Sequence, residues 1–114
     1  MNETLRATLD AVEQQMRVVS AACDLLGWIN TEADIPQGYS FSLDNPGKKY
    51  QRVVMHTRPG GHGDSVAFFI DRNTGDVLKA AGWKAPAKGV RASLFDLDDI
   101  KARFTWSGGW LYMK

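Results

Sequence analysis

Leu5, Leu9, Val12, Met16, Val19, Cys23 and Leu26 follow one another at alternating intervals of four and three. A strand cannot use that spacing, because its side chains alternate with a period of two. The spacing predicts one amphipathic helix of several turns. Asn2 or Thr4 can cap its start, and Glu3 in the first turn suits the helix dipole. Gly27 offers a stop. Such a stripe has two uses: it covers one face of a sheet, or its a/d register forms a seam with a partner helix. The two are compatible, since the stripe is longer than a small sheet needs.

Downstream the period changes. YSFSL, YQRVVMHTR, SVAFFID and DVLKAA are short runs rich in β-branched and aromatic residues, separated by glycine, proline, asparagine and aspartate. DRNTGD reads as a hairpin turn, with Gly75 at a positive φ. LFDLDDIKARF reads as a short helix with Asp96 or Asp98 near its start, and Lys101 and Arg103 near its end. The tail TWSGGWLYMK forms an edge strand or packs back on the sheet. The expected fold is α+β, a single domain over residues 1–114. A long N-terminal helix packs on an antiparallel sheet of three to five strands, and a short helix lies near the C-terminus.

A chain of 114 residues buries roughly two-thirds of its unfolded surface, which allows one real core. The net charge of +1 gives no bulk attraction for polyanions, so any anion preference must come from local clustering. One cysteine, Cys23, rules out an intramolecular disulfide and fits a reducing compartment. No apolar run is long enough to span a membrane, and the N-terminal residues lack the pattern of a signal peptide. A cytoplasmic protein is expected.

Little points to catalysis. Cys23 on an apolar helical stripe reads as core. His56, His62 and Asp64 around a glycine-rich turn fall short of a zinc ligand set, and Ser65, His62 and Asp64 make no triad by adjacency alone. No Walker or dinucleotide signature occurs. The expectation is a non-enzymatic protein with no cofactor and no metal.

One segment does suggest binding. KAAGWKAPAKGVRASLFD, residues 79–96, carries Lys79, Lys84, Lys88 and Arg91, with no acid before Asp96. It reads as a loop without a clear period. Lysine supplies point charges to phosphate, and Arg91 supplies a planar fork. Trp83 offers a face on which a base stacks, and Pro86 limits the entropy lost on binding. Asp96 either accepts from a ribose hydroxyl or base amine, or caps the next helix. Arg58 with the glycines at 60, 61 and 63 completes the expected site, since glycine lets backbone N–H groups approach phosphate. A solvated loop with its tryptophan tucked into the core is the plain alternative.

The stretch FFIDRNTGDVLKAAGWKAPAKGVRASLFD resembles small proteins of tailed bacteriophages and prophages. In these, a strand ending in Asp, a TGDV turn and WKAPAKGVR before an apolar-Asp segment recur. The likeness spans roughly residues 48 to 114, including the YQRVV strand and the tyrosine-bearing tail. It implies a phage accessory protein in the bacterial host cytosol that binds and sequesters host components. Sequestration of a nucleotide immune signal is one such anti-defence mechanism. The residues and the resemblance together favour a small phosphorylated ligand. Single-stranded nucleic acid bound by the same residues is a second reading. A protein-binding inhibitor or virion component, anchored by Trp106, Trp110 and Tyr112, is a third. A homo-oligomer, as a dimer, is expected from the helical stripe and the aromatic tail.

Overall fold

A computed structural model describes residues 3–44, 49–57 and 64–112, with the side chains of residues 3–8 and 112 left aside. Asn2, Arg58 and the loop at 60–63, His62 included, lie outside the described residues. Helix α1 (Glu3–Thr31) precedes five strands: β1 (Ser40–Asp44), β2 (Tyr50–His56), β3 (Ser65–Asp71), β4 (Asp76–Ala80) and β5 (Pro86–Ser93). Helix α2 (Leu97–Arg103) and a 3-10 turn (Gly109–Tyr112) close the chain. The strands form one sheet in chain order, and every neighbouring pair is antiparallel. This is the expected α+β architecture.

The sheet carries one strand beyond the four apolar runs, and that strand lies within the basic segment. The loop expected over 79–96 is confined to residues 81–85, and Pro86–Ser93 pairs with β4. Two irregularities hide the strand in the sequence. Lys79 alone lies opposite Ala87, Lys88 and Gly89, and Arg91 is an extra residue between the pairs Leu78–Val90 and Val77–Ala92. Gly89 takes φ 102°, the left-handed region that glycine reaches without a Cβ clash. Bulges of this kind break the period-two pattern and turn side chains away from the regular ladder.

Helix α1 packs through a different stripe from the one first read. Val18, Ala22, Leu25 and Ile29 are each fully buried and face Phe41, Val53, Phe68, Ile70 and Val77 of the sheet. Gly27 does not end the helix, which runs on to Thr31 and so brings Ile29 into the buried row. Of the predicted stripe, Leu26 is buried, whereas Leu9, Val12, Met16 and Val19 are exposed. Cys23 is exposed too, which corrects its reading as a core residue.

The C-terminal tail packs back on the sheet. Phe104 meets Trp28, Phe41 and Trp110 with ring centroids 5.8, 5.9 and 5.8 Å apart, and Trp110 meets Phe68 at 5.7 Å. Trp110 is buried and belongs to the core, so it cannot anchor a partner as the third reading required. Both outer strands are partly closed by side chains. The Asn30 amide donates to the Phe41 carbonyl at 2.9 Å and accepts from the Phe41 N–H at 2.8 Å, on the outer side of β1. On β5, Arg103 Nη2 donates to the Arg91 carbonyl at 3.1 Å. Occupied edge groups discourage pairing with another sheet. Among the described residues, no helix is long and apolar enough to cross a membrane.

Candidate functional site

The β4–β5 loop is a tight structure. The N–H groups of Ala81 and Gly82 both donate to the Ala85 carbonyl, at 3.1 and 3.3 Å. Trp83 stands at its tip and is 48% exposed, so the indole is not tucked into the core. Its other neighbour comes from β2. The Arg52 guanidinium lies 5.2 Å from the Trp83 ring centroid, and Arg52 Nη1 donates to the Trp83 carbonyl. Arg52 is in turn held by Asp44 on β1, with Nε donating to Oδ2 at 3.2 Å and Nη2 to the same oxygen. Cation–π contact and a charge-assisted hydrogen bond thus fix the loop over the sheet face opposite α1.

The sequence reading missed Arg52. Trp83 lies 31 positions further along the chain, and only the β2–β3–β4 pairing brings the two together. The alternation of Arg52 with buried Gln51 and Val53 in β2 marked it as facing away from the helix, and that was the available signal.

The other expected site residues fall into distinct surroundings. Lys84 shares the loop with Trp83 and is exposed, as is Lys88 in the first bulge of β5. Arg91 occupies the second bulge, half-buried, and its Nε is buried with no hydrogen-bond partner. Lys79 borders a small hollow of about 150 Å³ with Val66, Ala67, Ser107, Gly108 and Leu111, which Trp83, Lys84, Lys88 and Arg91 do not line. Asp96 is the N-cap of α2, accepting from the Asp99 N–H at 3.2 Å, so the capping alternative holds for it. Among the described residues, the hollow that Lys79 borders does not gather the other groups around the indole. Trp83 and Lys84 share a loop, the bulges of β5 carry Lys88 and Arg91 beside it, and Lys79 and Asp96 serve elsewhere.

A hydroxyl, an imidazole and a carboxylate meet at the other end of β2. Ser42 Oγ and His56 Nε2 share a hydrogen bond of 2.6 Å, and His56 Nδ1 lies 3.1 Å from Asp64 Oδ1. The order of atoms is that of a hydrolytic triad. The surroundings differ, because the Asp64 side chain is 56% exposed and the His56 side chain 36%. Water competes for both contacts there, whereas a triad carboxylate works from a buried position. Among the described residues, no group of three or more His, Cys, Asp and Glu is placed to hold a metal ion.

Trp106 is 39% exposed and meets Tyr39 edge-on, with centroids 5.4 Å apart. It borders a hollow reaching Phe41, Met55, Ser65 and Phe104 between β1–β3 and the C-terminal segment.

Neither a curated protein nor a solved structure matches the chain. A family model matches residues 2–113, nearly the full length, and on that match the chain belongs to DUF7717, a family of unknown function.

Proposed function

We propose that the protein binds a small phosphorylated ligand carrying an aromatic base, and that it sequesters the ligand without turning it over. One observation carries the reading. A half-exposed Trp83 is fixed by Arg52 at the tip of a hydrogen-bonded loop, and Lys84, Lys88 and Arg91 follow it with no acid from residue 77 to 95. A base stacking on the indole would gain about 1–3 kcal/mol. Lys84 and Lys88 would supply point charges to phosphate, and Arg91 the outer edge of its guanidinium. Because the loop is already ordered, less entropy is lost on binding. Arg58 and the glycines at 60, 61 and 63 remain part of the proposed site as phosphate donors.

The resemblance to tailed-phage accessory proteins supports a setting in the bacterial cytosol, where such a ligand would be a nucleotide immune signal. The protein works there as a homo-oligomer. Calorimetry with a panel of mono-, di- and cyclic nucleotides tests the reading. Binding of at least one is expected, with Trp83→Ala weakening it by about tenfold or more and Lys84→Ala/Lys88→Ala weakening it further. No heat with any nucleotide, or unchanged affinity in Trp83→Ala, overturns the assignment. Steep loss of affinity with salt for an oligonucleotide, together with weak binding of mononucleotides, would favour single-stranded nucleic acid instead.

A further inference from the structure

We infer that the Trp83 site stacks a single base, and that its ligand is a mononucleotide whose phosphates run toward β5. The inference rests on the ligand-binding reading above and names the class of ligand.

An indole has two faces, and Arg52 takes one of them. Its guanidinium lies 5.2 Å from the Trp83 ring centroid. Among the described residues, no other ring or cation stands against Trp83. The residue is 48% exposed, which matches one covered face and one open face. Arg52 is itself fully engaged. Nε and Nη2 both donate to Asp44 Oδ2, and Nη1 donates to the Trp83 carbonyl. Its side chain is 16% exposed. A fork already matched to a carboxylate gains little by turning to a phosphate. Arg52 is therefore a positioning residue: it presents the indole and leaves the ligand to the other face.

The register of the sheet adds a direction. Asp44, Arg52, Phe69, Leu78 and Val90 stand opposite one another in a single row across all five strands, on the face away from α1. The β4–β5 loop reaches Arg52 on β2 by crossing β3, and there Phe69 is fully buried although α1 lies on the other face. Charge is divided along this row. An exposed carboxylate, Asp44, ends it on β1, whereas Lys88 and Arg91 lie on either side of Val90 in β5, and Lys84 follows Trp83 in the loop. A base on the open face thus meets cations toward β5 and an acid toward β1. Phosphates at one end of a nucleoside suit that division. A strand laid along the row would place a phosphate on each side of the stacked base, one of them toward Asp44.

The neighbouring aromatic offers a strand little more. Tyr50 shares the face of Arg52, two positions earlier in β2. Its ring has Lys49 Nζ over it at 5.2 Å and meets Phe69 edge to face, with centroids 6.3 Å apart. Proteins that bind single strands stack successive bases on successive open rings. Here Trp83 supplies one open face, and Tyr50 is already occupied.

Calorimetry tests this with the 5′-mono- and triphosphates of the four common ribonucleosides and with trinucleotides of the same bases. One-to-one binding is expected, with the triphosphate tighter than the monophosphate and the trinucleotide no tighter than the monophosphate. An affinity that rises about tenfold or more with each added base would overturn the single slot and leave the stacking reading standing. No binding of any probe would overturn that reading and this inference with it. Arg52→Ala should weaken mono- and triphosphate by the same factor, because Arg52 touches no phosphate, whereas Lys84→Ala should weaken the triphosphate more. A loss at Arg52→Ala that grows with the number of phosphates would make Arg52 a phosphate ligand and overturn its positioning role. If Arg52→Ala abolishes binding, Arg52→Lys, which keeps a cation for the ring, gives the same comparison with the same two outcomes.

Discussion

Gly75 gives the sharpest test of how the TGDV turn is built. Its N–H donates to the Asp71 carbonyl at 2.9 Å, and its own carbonyl accepts from Leu94 at 2.8 Å, so the turn is tied at both ends. Its φ is 78°. An L-residue there costs about 1–2 kcal/mol. A second cost comes from packing. A Cβ at this position would lie 2.8 Å from Phe95 Cε2 and 3.2 Å from Cδ2, inside van der Waals contact. Phe95 is 52% exposed, so the ring has room to swing, at about 0.5–1.5 kcal/mol for leaving its preferred rotamer. Gly75→Ala should therefore destabilise the fold by about 2–3 kcal/mol, lowering Tm by roughly 8–15 °C for a domain of this size.

A matched control separates the two costs. Gly89 has φ 102° and open space where a Cβ would stand, so Gly89→Ala should show backbone strain alone, about 1–2 kcal/mol. Urea unfolding followed by tryptophan fluorescence gives all the values needed. In a Phe95→Ala background, the loss caused by Gly75→Ala should shrink to that of Gly89→Ala. If Gly75→Ala costs no more than Gly89→Ala, or if removing the ring gives no relief, the packing argument fails.

Trp110→Ala should cost about 3–5 kcal/mol in urea unfolding, because the indole fills the core between Phe68 and Phe104; a loss under 1 kcal/mol would restore it as a surface anchor. The Asp99 carboxyl should titrate below its ordinary value of 3.8, held down first by the hydrogen bond from Arg103, with desolvation opposing and the guanidinium charge adding a lesser lowering. A carboxyl lowered on folding adds stability that is present above its unfolded pKa and lost as pH falls through the folded one. Arg103→Ala should move the Asp99 carbon resonance titration back up toward 3.8, and an unshifted curve would refute the pairing.

The α+β order was legible because its signals are local. Four apolar runs with turn residues between them became β1–β4, and Asp96 with Arg103 bracketed α2. What was hidden required long-range geometry. Residues 18–29 of α1 carry two apolar stripes, and spacing alone cannot say which one meets the sheet. Placing the helix end at Gly27 removed Ile29 from view and tipped the choice to the wrong stripe. PAKGVRAS contains proline, glycine and two cations and shows no alternation, because two bulges absorb the extra residues. The Arg52–Trp83 contact depends on three strands folding together, which no short motif encodes.

The corrected helix register changes how the molecule is divided. In an antiparallel meander, consecutive connections alternate between the two ends of the sheet. The β3–β4 turn, which Gln15 touches, therefore lies at the end opposite the β4–β5 loop bearing Trp83. The free portion of α1 extends past the first end, whereas the basic loop folds back from the second over the face away from α1, until Trp83 reaches Arg52, two residues along β2 from the Tyr50–Asp71 pair. The exposed stripe and the basic hairpin are independent surfaces, joined by a core that Val18, Ala22, Leu25 and Ile29 supply from the one stretch of α1 that the sheet covers.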